Sequence, residues 1–425
     1  MTDDRMYLCI DLKSFFASVE CAERGLDTMT TRLVVADPAR GRGAICLAVS
    51  PALKSMGVRN RCRIYEIPAG IDYITALPRM KLYMEYAARI YSVYLRYISP
   101  EDIHVYSIDE CFLDITSYRK LYGKNERELA VMLTDAVYRE TGGICATVGI
   151  GTNLFLAKVA LDITAKHAID RIGFLDEEAF RQTVWYHQPL TDIWNVGRGM
   201  SKRLEKMGIF DLRGVAECEE SKLYREFGIN AEYLIDHAHG REPCTIADIH
   251  AYAAKTESVS NGQILFEDYC FEDALTVLKE MVDPLVLELI ERHKVTDSVS
   301  LSVGYSRDTH GTANVTVKLD GYTNSAKKIR RAFADCFRKT VDPNYPIRRI
   351  NAGLNNLQDE SCATLDLFTD LDAERRELEL QKTVLGLRKK YGKNAILHGI
   401  SLGEKATAKM RNRLIGGHNS GEERQ

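Results

Sequence analysis

Two apolar runs in the first third of the chain end on, or enclose, carboxylates. Met6 to Ile10 is apolar and closes on Asp11, while Val105, Ile108, Phe112 and Leu113 surround the adjacent pair Asp109 and Glu110. Short runs of this kind predict buried strands or hairpins, here Met6 to Asp11 and Asp102 to Asp114. Helical spacing governs Ser14 to Arg24, with Phe16, Val19 and Glu20 on one face and Ser14 as N-cap. It returns at Leu82 to Tyr97, at Glu126 to Thr141 with Gly142-Gly143 as its stop, and at Asn153 to Lys166. Arg32 to Asp37 and Ala44 to Val49 predict strands around the Gly-rich turn Pro38 to Gly43, and Ser50 to Gly57 a helix stopped by glycine. Thr147 to Ile150 predicts one more strand. Helices over an antiparallel sheet make an α+β layer.

Period two governs Ser298 to Tyr305 and Asn314 to Leu319, the mark of half-buried antiparallel strands, with helices at about 271–292 and 324–339 beside them. A polar stretch at 246–256 predicts a linker. Glu374 to Tyr391 predicts an exposed charged helix, and the chain from Arg411 onward is expected to be disordered or partner-facing.

Composition narrows the class. The chain has 425 residues, enough for two to four domains, and its 45% apolar and 28% charged content is that of a folded globular protein. Its net charge of −3 means that any contact with nucleic acid must use a local basic patch. Lys327 to Arg349 is such a patch, with eight basic residues against Asp335 and Asp342. No charged-then-apolar leader and no long apolar run is present, so neither secretion nor a membrane span is expected. The 11 cysteines lack Cys-x-x-Cys spacing, which argues against a disulfide framework or a zinc site and fits a reducing cytoplasm.

An adjacent Asp109-Glu110 is by itself either a turn tip or a metal cradle. Asp11, at the end of another strand, tips the balance. Three carboxylates on two neighbouring strands are the ligand type that Mg²⁺ prefers, and two-metal phosphoryl transfer needs such a cluster.

Asp11-Leu-Lys-Ser-Phe-Phe-Ala-Ser-Val-Glu20 with Tyr106-Ser-Ile-Asp-Glu110 resembles the Y-family of translesion DNA polymerases, in its bacterial UmuC-like branch. The resemblance extends to about residue 360. It implies an α+β, right-hand polymerase: palm (1–12 and 80–170), small fingers (13–79), helical thumb with a helix–hairpin–helix (171–245), linker (246–256), α/β little finger (257–358) and C-terminal tail (359–425). It also implies low-fidelity synthesis past damaged template bases, as part of DNA repair and SOS-type mutagenesis. Asp11, Asp109 and Glu110 would then hold two Mg²⁺ ions.

Other roles follow from the same resemblance. Phe16, which on periodicity alone is one of two core aromatics, would be the gate that rejects a 2′-OH. Lys54 and Lys166 would bind the triphosphate, although Lys166 stands one residue later than the count from Lys158 requires, and Pro51 replaces a tyrosine of some relatives. Gly197, Gly199 and Lys202 would bind DNA phosphate, and Lys327, Lys328, Arg330 and Arg331 the duplex backbone. Leu365, Leu367 and Phe368, after Thr364 in place of the usual glutamine, would dock on a sliding clamp. The expected partners are primer–template DNA, deoxynucleoside triphosphates, the clamp, and an accessory subunit or recombinase filament. A two-metal nuclease, a nucleotide cyclase and a catalytically silent DNA-binding scaffold are the rivals. The first needs no sugar gate, the second has no use for a helix–hairpin–helix, and the third would not keep all three carboxylates.

Overall fold

A computed structural model describes residues 5–306, 311–364 and 370–421 of the chain. They fall into two compact units, one ending at Tyr252 and joined by Ser420 and Gly421, the other Ala253–Asn419.

In the first unit β1 (Tyr7–Leu12) enters α1 (Phe15–Ala22) through Ser14. Ser14 takes a left-handed conformation and its hydroxyl makes no cap bond, so the expected side-chain cap is not formed. Next come β2 (Leu33–Val35), β3 (Ala48–Val49), α2 (Pro51–Ser55) and β4 (Ile74–Ala76). These make a small sheet of order β3-β2-β4 over its own cluster of Val34, Cys46, Val49 and Leu53. Then follow α3 (Met80–Tyr94), β5 (Ile103–Val105), β6 (Glu110–Asp114), α4 (Tyr118–Tyr122), α5 (Glu126–Glu140), β7 (Ala146–Gly151), α6 (Leu154–Val159) and β8 (Ile172–Leu175).

The central sheet has the order β5-β6-β1-β7-β8, with β8 parallel to β7 and the other pairs antiparallel. Successive side chains of a strand point to opposite faces, so β1 serves two layers. Leu8, Ile10 and Leu12 pack with Ile90 and Val93 of α3 and Leu133 and Val137 of α5. Tyr7 and Cys9 pack instead with Phe112, Leu154 and Ala157, on the face covered by α6. Asp11 continues that second series.

Glycine brings α6 unusually close. A Cβ at Gly149 would lie 2.0 Å from the Ala157 carbonyl oxygen, and one at Gly151 would lie 2.2 Å from the Ala157 nitrogen. Because the obstacle is backbone, no rotamer change relieves it. Gly149→Val is therefore expected to destabilise the protein by roughly 3 kcal/mol, the upper end for overpacking, read as a lowered thermal midpoint.

The helices α7 (Glu177–Thr183), α8 (Arg198–Lys206), α9 (Leu212–Glu217), α10 (Glu220–Phe227) and α11 (Ala231–Ala238) gather around Phe180, Leu204, Leu212, Leu223 and Leu234. The linker expected at 246–256 begins instead as α12 (Ile246–Ala251). Thr245 and Asp248 form a capping box there, and Ile246 is buried with Tyr7 and Phe112. The polarity of the segment concealed its apolar anchors, Ile246 and the half-buried Ile249.

The second unit runs β9 (Val259–Tyr269), α13 (Phe271–Glu291), β10 (Lys294–Tyr305), β11 (Thr312–Thr323), α14 (Ala326–Thr340) and β12 (Ile347–Asn355). Its antiparallel sheet has the order β11-β10-β12-β9, and α13 and α14 cover one face. The described part of the tail is folded, contrary to the expectation of disorder from Arg411 onward. After α15 (Leu371–Tyr391) and α16 (Ala408–Arg411), Leu414–Ile415 pairs with His418–Asn419 across Gly416 and Gly417, both at positive φ. Two such residues are what a tight hairpin turn requires.

The tail docks through charge and capping. The buried Glu280 carboxylate of α13 accepts from the backbone nitrogens of Thr407 (2.8 Å) and Ala408 (3.2 Å), and Lys389 pairs with Glu291 at 2.6 Å. No sequence period announces contacts of this kind.

Candidate active site

The β1–β6 register sets Asp11 opposite Glu110, and directly opposed residues of an antiparallel pair share a face. Both carboxylates therefore stand on the side that α6 covers. Asp109 precedes β6 in a turn held by Ser107. The Ser107 hydroxyl donates to Asp109 Oδ1 at 2.8 Å and accepts from the Glu110 backbone nitrogen at 3.0 Å. The Leu12 nitrogen donates to the Asp109 carbonyl at 3.0 Å, tying the turn to the end of β1. Burial first, then the charges of Asp109 and Glu110, push the Asp11 pKa up to about 7, with Lys158 acting in the opposite sense. Three acids that repel one another in this way suit a hard cation. The oxygen donors are of the right chemistry for a divalent metal.

A cation of the chain itself is already engaged there. Lys158 of α6 is buried and places Nζ 2.6 Å from Glu110 Oε1, 3.1 Å from Asp162 Oδ2 and 6.0 Å from the centre of the Tyr106 ring. Among the described residues no three His, Cys, Asp or Glu side chains form a ready metal cage. With Lys158 on one oxygen, Glu110 keeps Oε2 for another partner. Lys158 went unassigned in the sequence because its partner lies 48 positions away.

Lys166 returns to the same cleft by a local device. Residues Ala160–Thr164, directly after α6, form a π-helical turn, followed by a 3₁₀ turn at Ala165–His167. A π turn absorbs one extra residue, the size of the offset noted from Lys158. Asp162 on that turn bridges Lys158 and Lys166, the latter at 3.6 Å. Lys54 lies on α2, and the protein around its ammonium lowers its pKa, reinforced by Lys13 and Lys166 and opposed by Asp11 and Asp109. The two triphosphate candidates thus share one electrostatic environment with the carboxylates.

Phe16 is half-buried, and its ring lies on that of Tyr83 with centroids 4.5 Å apart and planes 15° from parallel. The stretch before α8 is a 3₁₀ turn (Leu190–Asp192) and a hairpin with Asn195 in the left-handed region, not a full helix. Gly197 is the N-cap of α8, whose first nitrogens have no side-chain cap. A Cβ at Gly197 or Gly199 would meet nothing within 4 Å and neither φ is positive, so packing within the chain does not require glycine at either position. Lys202 is exposed. Arg203, its neighbour, is bound to Glu226 at 2.6 Å.

The basic ridge of α14 is exposed but partly paired within the chain. Lys328 pairs with Glu374 at 2.6 Å, the Lys327 backbone nitrogen bonds Glu377, and Arg330 sits between Asp283 and His398. Glu374 of the tail and the buried Asp283 have thus taken the charges of Lys328 and Arg330, whereas the Lys327 side chain is exposed and Arg331, 85% exposed, lies 3.8 Å from Asp335. The clamp candidates Leu365, Leu367 and Phe368 lie outside the described residues; Thr364, just before them, exchanges two hydrogen bonds with Tyr322.

The chain is similar to known proteins along nearly its whole length. The profile of the impB/mucB/samB family matches residues 10–162, and that of the family's C-terminal domain matches 256–367. UvrX of Bacillus subtilis (strain 168), named for UV-damage repair, is 34% identical over 418 residues, covering 97% of each chain. DNA polymerase IV 2 of the same organism is 30% identical over 98% of this chain and 100% of its own. DNA polymerase IV 2 of Halalkalibacterium halodurans is 30% identical over 98% and 99%. Among solved structures, a Y-family DNA polymerase chimera of Dbh and Dpo4 superposes with TM-score 0.64 over 83% of this chain and 99% of its own, at 19% identity.

Proposed function

From the premise that this chain belongs to the impB/mucB/samB family, the Y-family of DNA polymerases, we propose that Asp11, Asp109 and Glu110 hold two Mg²⁺ ions for template-directed nucleotidyl transfer. The protein is a DNA-directed DNA polymerase that works in translesion synthesis and repair. The single observation that carries the site assignment is the β1–β6 register, which sets Asp11 beside Glu110. When bound, the divalent metal would supply Lewis acidity at the primer 3′-OH and at the triphosphate.

The chain's own residues do the rest. Ser107 orients the Asp109 carboxylate, and Lys158 orients Glu110. Lys54 and Lys166 neutralise the triphosphate, so that the 3′-oxygen can form its bond to the α-phosphorus as pyrophosphate leaves. Phe16 lies against the sugar. Gly197, Gly199 and Lys202 hold a template or primer phosphate at the start of α8.

In the second unit, duplex backbone is assigned to the uncovered sheet face. Residues there run in rows such as Asn314–Ser302–Asn351–Gly262 and Thr312–Gly304–Arg349–Ile264. Small polar side chains and Arg349 allow close approach of a phosphate chain. Lys327 and Arg331, both exposed, are assigned to the same duplex backbone, with Lys328 and Arg330 joining them only if they leave Glu374 and Asp283.

Low fidelity follows from a small fingers segment. Among the described residues between 24 and 79 the only α-helix is the five-residue α2. A short grip leaves little differential binding between right and wrong pairs. Among the described residues no helix is long and apolar enough to cross a membrane, and we assign the protein to the cytoplasm. Docking to the sliding clamp is assigned to Leu365, Leu367 and Phe368. Replacing Leu367 and Phe368 by alanine is expected to abolish clamp stimulation of primer extension and to leave basal extension unchanged. Loss of both activities would make the segment structural.

Primer extension with Mg²⁺ and four deoxynucleotides, on an intact and an abasic template, tests the function. Short products that cross the abasic site are expected. Degradation of the primer without nucleotides would indicate a nuclease instead.

A further inference from the structure

Glu20 lies on α1 and is fully buried, yet it takes no part in the chemistry described above. Burial by itself raises its proton affinity, but hydrogen bonds from Arg79, Arg24 and Tyr83 outweigh that and hold its pKa below the usual carboxylate value. Arg79, just before α3, grips it with two bonds, Nε to Oε1 at 2.9 Å and Nη2 to Oε2 at 2.7 Å. Arg24 adds a further contact to Oε2. The Tyr83 hydroxyl donates to Oε1 at 2.7 Å.

Tyr83 is itself fully buried, and its ring is the plate on which Phe16 lies. Phe15 closes another side, tilted 47° at 5.7 Å from Phe16. A buried carboxylate gripped by a guanidinium costs several kcal/mol of desolvation and is often no more stable than apolar packing of the same volume. What it provides is a fixed geometry: the hydroxyl anchor ties to Glu20 the Tyr83 ring on which the Phe16 ring rests.

We infer that Glu20, Arg79 and Tyr83 form a positioning assembly that fixes the Phe16 ring and thereby sets how strongly the enzyme prefers deoxyribonucleotides to ribonucleotides. The inference rests on the assignment of Phe16 as the sugar gate. A gate works only if its ring cannot yield. A shift of about 1 Å would admit a hydroxyl, because the difference between the two sugars is one oxygen atom. Tyr83 is a positioning residue: it touches the gate and not the sugar.

The test measures kcat and KM for dATP and ATP opposite template thymine, with the full chain, for wild type, Tyr83→Leu, Tyr83→Phe and Phe16→Ala. Tyr83→Leu removes the plate, and the preference for dATP over ATP is expected to fall about tenfold, through a lower KM for ATP. Tyr83→Phe keeps the ring and loses the anchor, and should lose about threefold. A structural role alone would depress kcat/KM for both nucleotides equally, and an unchanged ratio in both Tyr83 variants would overturn the inference. If Tyr83→Leu does not fold, the ratio in Tyr83→Phe decides. Phe16→Ala separates the two levels. If it too leaves the ratio unchanged, the gate assignment itself fails; if it alone relaxes the ratio, only the positioning role is lost.

Discussion

Asp109→Ala is expected to abolish primer extension, lowering kcat by at least roughly a thousandfold, or about 4 kcal/mol of transition-state stabilisation at 1.36 kcal/mol per factor of ten. The size follows from what Asp109 does in the cleft. It is one of three carboxylates that would hold the divalent metal, it is aimed by Ser107, and no other acid of the same turn can replace it. Loss of activity should not be loss of fold. Burial above all raises the pKa of Asp11, and the charge of Asp109 adds to it, so deleting Asp109 removes a repulsion from the metal-free protein. Thermal melting without divalent metal should give a midpoint at or above that of wild type. Primer extension and melting together decide the matter: a variant that extends primers at a tenth of the wild-type rate would remove Asp109 from the metal site, whereas a variant that melts early would make it structural.

Phe16→Ala is expected to raise the use of ribonucleotides relative to deoxyribonucleotides by roughly a hundredfold, about 2.7 kcal/mol by the same conversion. The ring excludes a 2′-OH in two ways. It fills the space, and it offers a buried hydroxyl no hydrogen-bond partner. Alanine removes the first obstacle and lets water meet the second. The effect should appear as a lower KM for ribonucleotides. Use of deoxynucleotides should change far less, because Phe16 makes no bond that a deoxyribose needs. Competition between dATP and ATP on one template reads the ratio directly, and an unaltered ratio would return Phe16 to the core aromatics, where periodicity alone had left it.

Those two residues illustrate what could be known before any coordinates. Asp11, Asp109 and Glu110 were visible because a carboxylate inside or at the end of an apolar run is costly, and such a cost demands a partner. The order of the two motifs pointed to the family, and amphipathic spacing placed α1, α3, α5, α13 and α14 within a few residues of where they lie. Each of these is a property of neighbours along the chain. β8, with four residues, and the helix at Ile246–Ala251, with six, were missed because such short segments carry too few positions for a period to declare itself, and the longer β9 and β12 were missed as well.

Only the tertiary structure decided the charge pairing. Lys158 meets Glu110 across 48 positions, and Glu374 and Glu377 reach Lys328 and the Lys327 backbone from the tail. A run of eight basic residues looked like a surface for DNA until the acids that neutralise part of it came into place. The physical reason is range. Hydrophobic patterning acts through local periodicity and is written in consecutive residues. An ion pair or a ring stack needs two groups within a few ångströms, and that proximity exists only once the chain has folded.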